Sequence, residues 1–148
     1  SNAAMAEELM KVNADSLGAV GRAKFDELTG KIYPDACKKQ YRAAKEAYDS
    51  GEYDTVISSL ETVMQMDESY NDGAAMLLLA QGYEKKGDQD KANTTYQKII
   101  ETWPDTDVAT QAQQALDVQS GNTDNSDSKK SDDTKKNSDN DDNGDNNN

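Results

Sequence analysis

The chain has 148 residues, one cysteine, no histidine and a net charge of −13, with a pI near 4.3. That length suits one domain, and that charge argues against nucleic acid and anionic membranes, both of which need a basic face. Without histidine the commonest general base and metal ligand are missing, and a single cysteine leaves no intramolecular disulfide and no zinc set.

Ser1-Asn2-Ala3 ahead of Ala4-Met5 has the form of a tag-cleavage scar, so residues 1–4 are set aside. Residues 5–34 are expected to form an N-terminal helical segment. Within it, Leu9, Met10, Leu17 and Val20 make Ala6–Val20 amphipathic. That stretch reads as a flanking helix, or as the stub of a coiled coil or stalk leading to a membrane anchor. The longest apolar run, Ala74–Ala80, is far short of the ~20 residues of a membrane span. Residues 5–118 show helical spacing without strand alternation, and the fold class expected is all-α. Pro34 and Pro104 are both expected at helix breaks. Gly51 and Gly87 each follow an apolar-periodic stretch and precede an acidic residue, which predicts a helix stop, a turn and a new start.

The chain repeats itself. Ala43–Asp67 laid over Leu79–Trp103 puts Ala44 on Ala80, Ala47 on Tyr83, Gly51 on Gly87, Val56 on Ala92, Leu60 on Tyr96 and Val63 on Ile99. The order small residue, aromatic, Gly-Asp, small residue, aromatic, aliphatic, Pro is filled by Ala80, Tyr83, Gly87-Asp88, Ala92, Tyr96, Ile99 and Pro104. This resembles the tetratricopeptide repeat (TPR) family. The first unit departs from the pattern, with Ala47 for the aromatic, Val56 for the small residue and Glu68 for the proline. The usual tryptophan near the start of each unit is replaced by Gln40 and Met76.

The resemblance implies a short right-handed solenoid of helix-turn-helix pairs: one repeat over 35–71, another over 72–106 and a capping helix over 107–118. "AKFDELTGKIYPD" looks like the end of a degenerate earlier unit, with Phe25 and Leu28 spaced like Tyr96 and Ile99. The repeat style is similar to that of bacterial envelope and secreted members, so an extracytoplasmic or membrane-anchored location is expected, with the cytoplasm as alternative.

In that family the first helix of each unit lines a concave groove. The groove residues implied are Lys38, Tyr41, Arg42, Lys45 and Tyr48, with Asp49, and Leu77, Leu78, Gln81, Glu84 and Lys85, with Ala74. Lys38, Arg42 and Lys45 share one helical face and form a local basic cluster in an acidic chain. They suit an acidic or carboxylate-bearing segment, against the simpler expectation of a solvated face paired with Glu46 or Asp49. The carboxylate clamp of chaperone-binding members is not reproduced, because Tyr41 and Lys45 stand where it needs Lys and Asn. The function expected is a non-catalytic protein- or peptide-binding scaffold. The alternative is a structural spacer of a surface protein. No nucleophile–base pair or phosphate loop points to catalysis, and no cofactor or metal is expected.

Residues 119–148 are expected to be a disordered Asp/Asn/Ser-rich tail, since no apolar side chain lies beyond Gly121. The charge beyond Gly121 is eight Asp against four Lys, or −4. Asp139–Gly144 matches the first half of a calcium loop, but the chain lacks the acidic residue that closes one, so weak non-specific cation binding is the larger expectation.

Overall fold

A computed structural model describes residues 1–121; the expectations for the acidic tail and its calcium-loop string fall outside them. The described residues form six α-helices: α1 (Asn2–Met10), α2 (Ala19–Asp49), α3 (Tyr53–Met66), α4 (Ala74–Lys86), α5 (Gln89–Thr102) and α6 (Asp107–Gln119). Two short 3-10 turns, Ala14–Ser16 and Tyr70–Gly73, lead into α2 and α4. Each helix packs on the next in sequence, and α4 also touches α2 and α6. The result is a row of antiparallel hairpins, an all-α helical repeat, with α2, α4 and α6 in one layer.

Local chemistry explains where the helices stop. Gly51 and Gly87 end α2 and α4 at φ +77° and +89°, a region in which a side chain would be strained. The Asp88 carboxylate accepts the Lys91 N–H at 3.3 Å to start α5, and the Thr106 hydroxyl accepts the Ala109 N–H at 3.3 Å to start α6. Between the two units the backbone is left-handed at Asn71, Asp72 and Gly73 in succession. Asn and Asp tolerate that region better than other side chains. Gly73 faces the Trp103 indole, where a Cβ would sit 2.8 Å from the nearest ring carbon.

The main core follows from helical spacing. Val56, Leu60 and Val63 of α3 are fully buried, as are Ala92, Tyr96 and Ile99 of α5, each set recurring every three or four residues. Burying side chains of the larger kinds contributes about 1.5–3 kcal/mol each. α4 lies between α3 and α5 and is buried on several sides, through Ala75, Met76, Leu77, Leu79, Ala80, Gly82 and Tyr83. Small residues set the helix spacing. A Cβ on Gly82 would come within 2.9 Å of a Val56 methyl, so α3 and α4 approach at a distance that only glycine permits without repacking. A second, smaller core of Ala6, Ile32 and Ala36 joins α1 to α2, and Met66 packs against both cores.

Pro34 departs from expectation. It does not break the chain into two helices but lies inside the continuous α2. Pro104 does end a helix: Trp103 is the C-cap of α5, and Thr106 caps α6. Two residues after each proline stand Ala36 and Thr106. Thr106 supplies the acceptor that starts a new helix, whereas Ala36 has none and is instead buried against Ile32 and Ala6. Phe25 and Leu28 therefore belong to the same helix as the basic cluster. α1 packs against the first half of α2 through the smaller core, and α2 runs on into the next hairpin without a turn. Residues 2–4 lie within α1, and the Asn2 amide donates to Asp35 at 3.0 Å.

Candidate functional site

The second half of α2 carries the basic cluster. Lys38, Arg42 and Lys45 are exposed, while Cys37, Ala44 and Ala47 on the opposite side are buried in the core. Tyr41 and Tyr48 lie half-buried along the border. The Tyr41 ring meets Tyr70 edge-on, with centroids 5.6 Å apart, and the Lys45 ammonium sits 5.1 Å from the Tyr41 centroid. Tyr48 meets Tyr53 edge-on at 5.7 Å. Lys45 is thus oriented by an aromatic face, a modest cation–π contact at an exposed site.

The residues on α4 divide. Leu77 is 7% exposed and belongs to the core, out of a partner's reach. Leu78 and Gln81 are half-buried, and Lys85 is exposed. Glu84 is exposed but engaged, because the Tyr96 hydroxyl donates to its carboxylate at 2.6 Å. The face that remains open consists of the α2 cations and Tyr41, with Leu78, Gln81 and Lys85 beside them in the same helix layer.

Charge pairing singles this face out. Lys11, Arg22, Lys24, Lys31, Lys86, Lys91 and Lys98 each lie within 4 Å of a carboxylate. Lys38, Lys39, Arg42, Lys45 and Lys85 have no such partner among the described residues. The pairing of the cluster with Glu46 or Asp49, open from the sequence, is not formed. The uncompensated cations of residues 1–121 therefore gather on α2 and at the end of α4.

Two partly buried polar links were not anticipated. The Tyr83 hydroxyl donates to Glu61 on α3 at 2.6 Å, and Tyr96 bonds Glu84 in the same way. Burial and the adjacent carboxylate push both phenols well above the ordinary tyrosine range. The repeat pattern demands an aromatic at both positions, but it does not say that the ring will be a tyrosine whose hydroxyl needs an acceptor. Burial and the nearby Asp67 push the Cys37 thiol up to about 11, so it stays protonated. No group of three or more His, Cys, Asp or Glu suited to a metal ion occurs among the described residues, and none of their helices is long and apolar enough to cross a membrane.

The helix-turn-helix order, the glycine stops and the small-residue contacts define a helical-hairpin repeat protein. Residues 74–106, the α4–α5 hairpin, match the family model of the tetratricopeptide repeat, and the described residues as a whole form an all-α, TPR-like helical repeat. Neither a curated protein nor a solved structure matches the chain. Tetratricopeptide repeats serve generally as protein-interaction scaffolds.

Proposed function

We propose that the α2–α4 face of this repeat array is the docking surface for a protein segment rich in carboxylates. The observation that carries the reading is the set of uncompensated cations: Lys38, Lys39, Arg42, Lys45 and Lys85 are grouped on one helix layer, while the other basic side chains of residues 1–121 are paired. Residues 1–121 pair seven cations and leave five together, which presents a local positive field to an approaching acidic segment. Tyr41 and Leu78 add apolar surface beside the charges. Arg42 offers a planar fork to a carboxylate and the lysines offer point charges.

Direct titration of fluorescent twelve-residue peptides of acidic, neutral and basic composition tests this. The wild-type chain is compared with the Lys38→Glu, Arg42→Glu, Lys45→Glu variant. Acidic peptides are expected to bind in a salt-sensitive way and to lose about tenfold or more in the variant, since exposed pairs contribute ~0.2–1 kcal/mol each and reversal adds repulsion. Equal affinity for all three peptide classes, or an unchanged affinity in the variant, would refute the reading.

A further inference from the structure

Next to the basic face, α2 passes the turn that joins α3 to α4, and a cleft of about 380 Å³ opens there. Tyr33, Tyr70, Met66 and Asp67 are among the residues that line it. Gly30 and Pro34 also line the cleft, and because Pro34 has no N–H the Gly30 carbonyl lacks the donor that an uninterrupted helix would give it. The Asp67 carboxylate takes the Ser69 N–H at 3.0 Å and has no basic partner among the described residues. Asp26 on the rim is paired with Arg22 at 3.2 Å. A carboxylate without a basic partner, a carbonyl short of its donor and two tyrosines suit a cationic side chain.

Tyr41 joins this cleft to the basic face, with Tyr70 against one side of it and Lys45 over its ring. Along α2 the step from Pro34 to Lys45 is about 16 Å. A segment matching both places carries a cation and then, about three to six extended residues later, several carboxylates. The chain contains such a segment outside the described residues: Lys135-Lys136-Asn137-Ser138-Asp139-Asn140-Asp141-Asp142. From Gln119 to Lys136 an extended chain spans at most about 60 Å. The distance from α6 across α4 to α2 is two helix spacings, about 20 Å.

The geometry points to residues 135–142 of this chain as an intramolecular occupant of the α2 face, with Lys136 in the Tyr33–Tyr70 cleft and Asp139, Asp141 and Asp142 against Lys38, Arg42 and Lys45. This rests on the reading of that face as a docking surface, and it makes the acidic tail a competitor that an outside partner must displace.

The test is paramagnetic broadening of amide signals in the full chain, with a nitroxide on Ser138→Cys and the buried, protonated Cys37 left in place. At 20 mM salt the amides of residues 33–45 and 67–70 are expected to lose at least half their intensity, while those of 94, 97 and 101 on α5 keep theirs. The loss is expected to vanish at 500 mM salt and with Lys38→Glu, Arg42→Glu, Lys45→Glu. The decisive variant is Lys135→Asp, Lys136→Asp. It makes the tail more acidic, so simple charge attraction would strengthen the contact, whereas the paired register requires broadening at 67–70 to fall at least twofold. Broadening that rises there, or that shows no preference for α2, overturns the proposal. Broadening seen only when spin-labelled and isotope-labelled chains are mixed assigns the contact to a second copy and overturns the intramolecular form. If the tail does not broaden α2 but added hexa-aspartate shifts the amides of Lys38–Lys45, the docking face stands and the tail assignment falls.

Discussion

Replacing Gly73 with alanine isolates the contact that locks one repeat unit to its turn. Gly73 has φ +92°, and its ideal Cβ would lie 2.8 Å from Trp103 Cε3 and 3.0 Å from two further ring carbons. The left-handed backbone costs an alanine about 1–2 kcal/mol, and forcing a methyl into a filled site adds about 1–3 kcal/mol. The expected loss is therefore about 3 kcal/mol, a large fraction of the stability of a domain this size. Gly51→Ala is the matched control, because Gly51 has φ +77° and nothing within 4 Å of its Cβ. It is expected to cost only the backbone share, about 1 kcal/mol. Urea unfolding followed by circular dichroism at 222 nm gives both values on one scale. Trp103→Leu in the Gly73→Ala background is expected to recover part of the difference, as coupled neighbours do. If Gly73→Ala and Gly51→Ala lie within about 0.5 kcal/mol of each other, the indole is free to move and the reasoning fails.

Other expectations follow from the same geometry. Pro34→Ala restores an interior helix N–H at an exposed position and is expected to stabilise the chain by about 1–3 kcal/mol in the same urea assay, with a loss of stability as the contrary result. Tyr96→Phe removes the bond to Glu84 and is expected to cost about 1 kcal/mol. Tyr83 and Tyr96 are held above their unfolded pKa, so their contribution is complete below about pH 10 and declines above it, where the unfolded chain releases the protons first. A stability–pH profile from 8 to 11 is expected to fall at its alkaline end, and to fall less steeply in Tyr83→Phe, Tyr96→Phe. Cys37 is expected to resist iodoacetamide at pH 8 in the folded chain and to react once urea unfolds it, which mass spectrometry reads directly; rapid folded-state alkylation would contradict its burial.

Sequence periodicity carried much of this molecule. The spacing of Val56, Leu60 and Val63, and of Ala92, Tyr96 and Ile99, specifies helices with one buried stripe, because side chains three and four residues apart share a helix face. Gly51, Gly87 and Pro104 placed the turns, since left-handed backbone and a missing N–H act locally. The basic cluster was legible for the same reason: Lys38, Arg42 and Lys45 lie on one face of any helix through them.

What the tertiary structure alone decided depends on neighbours distant in the chain. Pro34 stays inside α2 because Ala36 lacks a capping oxygen and packs on Ile32 and Ala6, a contact made by a separate helix. Leu77 falls in the core because α4 is enclosed by helices on both sides. The cations of α2 stand unpaired among the described residues although Glu46 and Asp49 are one helical turn away. Glu84 is engaged by a hydroxyl from α5 and Tyr70 is brought against Tyr41 by the turn before α4. Spacing along one helix sets which residues share a face, but burial, pairing and clefts arise only when a second helix arrives.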